Sequence, residues 1–178
     1  MTNNIKALLA TTALFFSTQA LANSGCAFDE KQDGFIATCS EEKQEVILTG
    51  QVASQTLVTE LDEFTKGYKT YQVDTAAITP LKTIDEPTEI VVIIGTWCPD
   101  CHRETPRFIR IMEEVNNPNI KVTYIGVDRK KKDPEGLAAQ YEFTRIPTFI
   151  VMQKGEEIGR IVERPETSLE VDLAKILN

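Results

Sequence analysis

The chain has 178 residues, 42% of them hydrophobic, a single histidine and a formal net charge of −8. This is enough apolar material for one domain with a real core. The acidic balance and the lack of a basic face argue against nucleic acid as a partner.

Lys6 is the only charge in the first 22 residues, ahead of an apolar run over 7–16 and the small-x-small site Ala20-Leu21-Ala22. That pattern reads as a secretory signal peptide over 1–22, with an N-terminal anchoring helix as its rival. The run is too short to span a bilayer, and no later segment is long enough. The expected location is therefore outside the cytoplasm, periplasmic or secreted.

Residues 23–53 read as a small β-type appendage holding the first of two cysteine pairs, Cys26 and Cys39, around the turn signal Asp33-Gly34. Three readings stay open for this pair. One is a structural disulfide, stable in an oxidising compartment and worth roughly 3 kcal/mol in the chain-entropy model. The second is lipidation of Cys26, for which Asn23-Ser24-Gly25-Cys26 is an incomplete lipobox. The third is a redox pair relaying electrons to the other two cysteines.

Leu57, Val58, Leu61 and Phe64 recur at helical spacing. A helix is expected over 54–66, capped by Ser54 and ended by Gly67 or running on to Tyr71. A short helix within 74–84 should break near Pro80. Residues 89–94 read as a strand apolar on both faces, as inside a parallel sheet. A helix should follow over 103–115, with Pro106 kinking it or marking where its ladder restarts. A strand over 120–127 comes next. Asp133-Pro134 then reads as a cap with proline at the first helical position, opening a helix to Tyr141. Strands over 147–152 and 157–163 flank a turn at Lys154-Gly155-Glu156. Thr167 and Glu170 form a capping box for a last helix bearing Leu169, Leu173, Ile176 and Leu177. From residue 89 the order predicts an α/β fold: a mixed central sheet with helices on both faces, its first connections being parallel crossovers.

The chemistry centres on Trp97-Cys98-Pro99-Asp100-Cys101-His102. Two thiols three positions apart at a helix start share one face. There the helix dipole and unpaired backbone N–H groups favour an anion, which makes Cys98 a nucleophile. Asp100 places a like charge beside the thiolate, which raises the Cys98 pKa and makes the pair a weaker oxidant. His102 is either a proton carrier or an exposed helix residue. Arg145 attracts an acidic partner or the thiolate, or has only a surface role. The run over 129–132, followed by Asp133, reads as a solvated loop rather than a docking patch. Cys98-Pro99-Asp100-Cys101-His102 also matches c-type haem attachment, with Met112 or Met152 as sixth ligand. No second Cys-x-x-Cys follows to complete a metal site.

The strand, the Trp-Cys-x-x-Cys at a helix start and the later Ile146-Pro147-Thr148 together resemble the thioredoxin superfamily over about residues 89–177, or from residue 54 if the earlier helix is the family's first. The resemblance implies a thioredoxin fold over 54–178. Cys98 would be the attacking thiolate and Cys101 the resolving thiol. Pro147 would be a cis-proline that exposes the Ile146 backbone to a substrate peptide, with Thr148 beside it in a supporting role. Trp97 would shield the disulfide. Gly95-Thr96-Trp97-Cys98 and Cys101-His102-Arg103-Glu104-Thr105-Pro106 are similar to the exported TlpA/ResA branch, without its central insertion. That similarity gives Glu104 the role of tuning the cysteine pair. The family's strand carboxylate falls on Val92 and its lysine partner on Tyr124. The function so implied is a monomeric, cofactor-free thiol–disulfide oxidoreductase. It would reduce protein disulfides and be recharged by a membrane thiol-reducing donor. The competing class is a binding or chaperone-like module of the same fold without turnover.

Overall fold

The structure, a computed structural model, describes the backbone of residues 26–31 and 34–39 and all of residues 46–178. The leader expected over 1–22 and the side chains of Cys26 and Cys39 lie outside the described residues. The chain divides into two compact units, residues 1–44 and 45–178. In the first, β1 (Cys26–Lys31) and β2 (Gly34–Cys39) pair antiparallel, with Cys26 opposite Cys39.

The second unit is built on a five-stranded sheet: β3 (Gly50–Val52), β4 (Thr88–Ile94), β5 (Ile120–Gly126), β6 (Thr148–Gln153) and β7 (Glu156–Val162). The strand order is β3-β5-β4-β6-β7. β4 and β5 are parallel, and every other neighbouring pair is antiparallel. The helices are α1 (Ser54–Glu60), α2 (Asp62–Thr70), α3 (Thr79–Lys82), α4 (Pro99–Val115) and α5 (Leu169–Leu177). This is the mixed α/β architecture expected of a thioredoxin fold. Residues 90–94 of the central strand β4 have no exposed surface, and such side chains contribute about 1.5–3 kcal/mol each. On one face Phe108 of α4 meets Phe149 of β6 at 4.9 Å and Tyr124 of β5 at 6.3 Å between ring centroids. Val92, Tyr124 and Phe149 are register partners on three adjacent strands.

Several expectations shift. β3 lies inside the stretch assigned to the appendage, so the sheet begins before residue 54. The first helix is two helices, broken at Leu61, which is extended with φ −111° and ψ 110°. The Thr65 hydroxyl donates to the Val58 carbonyl at 2.7 Å across that break. Ser54 is the first helical residue rather than the cap, and Gly67 lies inside α2. Pro80 sits in the first turn of α3, where its missing N–H costs nothing. Helix α4 runs unbroken through Pro106. The helix expected after Asp133 is one 3-10 turn, Ala138–Gln140. Asp133 is not its cap residue, which is Leu137; its carboxylate accepts from the N–H groups of Leu137 and Ala138 at 2.9 Å, and Gly136 at φ +69° keeps the chain from entering a longer helix. Residues 127–147 return to the end of the sheet they left. β6 therefore runs antiparallel to β4, and only the β4–α4–β5 connection is a parallel crossover. The last helix is capped by Ser168, whose Oγ accepts from the Val171 N–H at 3.2 Å. Glu170 turns inward instead of closing a capping box, accepting from the Tyr71 hydroxyl at 2.8 Å.

Candidate functional site

Cys98 is the N-cap of α4, with extended backbone (φ −92°, ψ 123°) and Pro99 at the first helical position. The turn is closed by the Cys98 N–H donating to the Gly95 carbonyl at 3.0 Å, and the His102 N–H donates to the Cys98 carbonyl at 3.0 Å. Cys101, one helical turn on, has no exposed surface, and its Sγ accepts from the Gly95 N–H at 3.3 Å. Both cysteines carry free thiols and are buried. As a thiol, Cys98 Sγ points to the Ile146 carbonyl at 3.5 Å. The Ile146–Pro147 peptide is cis. The Thr148 hydroxyl donates to the Arg145 carbonyl at 2.6 Å and closes that loop.

This arrangement lowers the Cys98 pKa to about 6. The chief cause is the Cys101 thiol, which donates a hydrogen bond to the Cys98 thiolate. The N–H groups of Cys101 and Asp100 act the same way, while burial opposes them. Asp100 also opposes them, as its position implied, but it is the smallest contributor, and the expected net rise of the Cys98 pKa is overturned. The Asp100 carboxylate is held by Arg103 at 2.7 Å and Arg164 at 3.1 Å, which keep it below the usual carboxylate range even though partial burial opposes them. Cys101 is pushed strongly upward, first by burial and then by its bond to Cys98. The pair thus holds one ready nucleophile and one protonated thiol.

The residues around it sort clearly. Trp97, Cys98, Pro99, Cys101, Ile146 and Pro147 converge. The Trp97 indole N–H donates to the Val127 carbonyl at 3.0 Å. Glu104 is buried, but its carboxylate pairs with Arg103 at 2.5 Å and Arg107 at 3.5 Å rather than with either sulfur. His102 donates from Nε2 to the Thr96 carbonyl at 2.6 Å and packs edge-on to Phe64. With both sulfurs buried and that nitrogen engaged, the site does not fit thioether attachment and axial ligation of a haem. Sequence reasoning missed three contributors. Arg103 bridges Asp100 and Glu104, and Arg164 reaches Asp100 from beyond β7. A Cβ on Gly95 would come within 2.7 Å of Ile146 Cδ1 and 2.8 Å of the Trp97 ring, so only glycine lets the loop pass there. The Gly95-Thr96-Trp97 spacing carried a signal for glycine; nothing local signalled Arg164.

A family model described as thioredoxin matches residues 49–175. The chain belongs to the thioredoxin family. It is 31% identical over 83 residues to thioredoxin of Porphyra purpurea, covering 46% of this chain and 73% of that one. It is 28% identical over 99 residues to thioredoxin of Oryctolagus cuniculus (54% and 89%). To the H-type thioredoxin of Brassica campestris it is 26% identical over 97 residues (53% and 74%). Family membership supports a function of the thiol–disulfide oxidoreductase type.

Proposed function

We propose that this chain is an exported thiol–disulfide oxidoreductase that reduces protein disulfides through Cys98 and Cys101. The observation that carries the reading is the Cys98 thiol at the α4 N-cap, with its pKa lowered to about 6 by the Cys101 thiol and two backbone N–H groups. The Cys98 thiolate attacks one sulfur of a substrate disulfide. A mixed disulfide forms, and the other substrate sulfur leaves as thiolate and takes a proton. Cys101 gives up its proton and attacks Cys98 Sγ, releasing the second substrate thiol. Two electrons have passed to the substrate, and the protein holds a Cys98–Cys101 disulfide. A dithiol donor, expected to be a membrane thiol-reducing protein, returns it to the reduced form. No bound cofactor enters the cycle.

The pKa also bears on direction. A value of about 6 stands nearer to thioredoxin (about 7) than to the strong oxidant with a nucleophile near 3.5. The potential is therefore expected nearer about −270 mV than about −120 mV. Support for a reductant comes from this modest thiolate stabilisation and not from Asp100.

Reduction of 2-hydroxyethyl disulfide and of insulin with dithiothreitol as donor tests the activity. Cys98→Ser should abolish catalysis, and Cys101→Ser should accumulate a mixed disulfide on Cys98. No activity above dithiothreitol alone, with nothing lost in Cys98→Ser, would point to the binding module instead.

A further inference from the structure

The fold sets the basic run over 129–132 on the rim of the redox site. The Arg129 guanidinium lies over the Trp97 ring, 5.2 Å from its centroid. Lys131 donates from Nζ to the Thr144 carbonyl, tying this loop to the segment that leads into Arg145, Ile146 and Pro147. Across the site Arg164 reaches Asp100 in the first turn of α4, and Arg145 precedes Ile146. Arg129, Lys130, Lys131, Lys132, Arg145 and Arg164 are all exposed. Between them lie half-buried Trp97 and exposed Pro99. The loop is shaped, not slack. Asp128 Oδ1 accepts from the backbone N–H groups of Lys130 and Lys132 at 2.8 Å, and Lys131 takes a left-handed φ of 61°. Four carboxylates around it are engaged. Asp128 is bound to those N–H groups and Asp133 to the turn at Ala138. Asp100 pairs with Arg103 and Arg164, and Glu163 with Arg145 at 2.8 Å.

We propose that this cationic rim selects acidic clients: a polypeptide whose disulfide is flanked by Asp and Glu, seated over Trp97 with its carboxylates toward the 129–132 loop, since Arg145 and Arg164 are already paired with Glu163 and Asp100. On a chain of net charge −8, a basic rim around the nucleophile orients an acidic partner, since the rest of the surface repels it. The inference rests on the oxidoreductase reading above and names the substrate class for the same site.

The test uses two disulfide-linked peptides with the same cystine core, one flanked by Asp and Glu and one by Lys and Arg. 2-Hydroxyethyl disulfide serves as an uncharged reference. At low salt the acidic peptide should be reduced with kcat/KM about tenfold or more above the basic one. At 0.5 M NaCl the gap should largely close, because exposed charges are then screened. In the double variant Lys130→Gln/Lys132→Gln, the ratio of acidic-peptide rate to reference rate should fall severalfold. Equal rates for the two peptides, with the reference reduced normally, would overturn the client class and leave the oxidoreductase reading standing. Failure to reduce all three would overturn both.

Discussion

At the scale of single residues, Cys98 and Cys101 divide one property between them, and pH separates their shares. The Cys98 pKa is lowered from about 9 to about 6. The rate of Cys98 alkylation by iodoacetamide should therefore rise to half its plateau near pH 6. Cys101→Ala removes the largest stabilising hydrogen bond and should move that midpoint up by a unit or more. A midpoint unmoved in Cys101→Ala would show that the backbone N–H groups alone hold the thiolate. Stability follows with a definite sign. A depressed folded pKa adds stability to the reduced protein at and above the ordinary thiol value, and this is lost as pH falls through about 6. Cys101, raised on folding chiefly by burial, works the other way: its contribution is present below the ordinary thiol value and lost above it. Reduced protein should therefore gain Tm from pH 6 toward about 8.5 and lose it beyond. The oxidised protein, which lacks both titrations, is the control, and a pH-independent difference in Tm between the two forms would refute the assignment. The cysteines were legible in the sequence because their chemistry is local. The balance around Asp100 was not, because Arg164 arrives from 64 positions away and Arg103 could have served any neighbouring acid.

At the scale of elements, β4 to β7 could be read because long apolar runs between turn signals leave few alternatives. The departures come where packing outweighs local pattern. Leu61 fits a helical stripe, yet the chain breaks there. The three residues of β3 carry too short a pattern to be seen, and they become a strand only by pairing with β5. Gly67 read as a helix end because glycine commonly stops helices. It is instead the point where α2 presses on α4. A Cβ there would lie 2.8 Å from Cγ of Pro106 and 3.4 Å from the His102 carbonyl oxygen. Two effects compete in Gly67→Ala. Helix propensity favours alanine by about 1 kcal/mol. Overpacking against a rigid proline ring costs about 1–3 kcal/mol. The ring cannot rotate away, so the second effect wins, and urea unfolding should show a net loss of about 1 kcal/mol. A stabilised Gly67→Ala would mean that α2 slides on α4 without cost. A shift of α2 also moves Phe64, which flanks His102, so this contact links the helix pair to the site.

At the scale of the whole molecule, two units of unequal means face the same problem of stability. Residues 45–178 have a sheet buried under helices. In residues 1–44 the described backbone is a two-stranded hairpin, and an isolated hairpin is marginal in water. Its register sets Cys26 opposite Cys39. Directly opposed residues of an antiparallel pair have Cα atoms about 4.5–5.5 Å apart, within the roughly 4.4–6.8 Å that a disulfide needs. A disulfide closing that loop would supply about 3 kcal/mol. We therefore expect two disulfides of different character in the oxidised protein. Cys98–Cys101 should open under mild dithiothreitol, being a ring that its own chemistry is set to form and break. Cys26–Cys39 should persist until the chain is denatured. Alkylation followed by mass spectrometry distinguishes the three readings of the first pair. Two labels under mild reduction and four after denaturation support a structural bridge. Four labels appearing together under mild reduction would support an electron relay instead. A mature protein heavier by a diacylglyceryl group, with only three thiols to label, would mean that Cys26 is lipidated and the hairpin has no covalent tie.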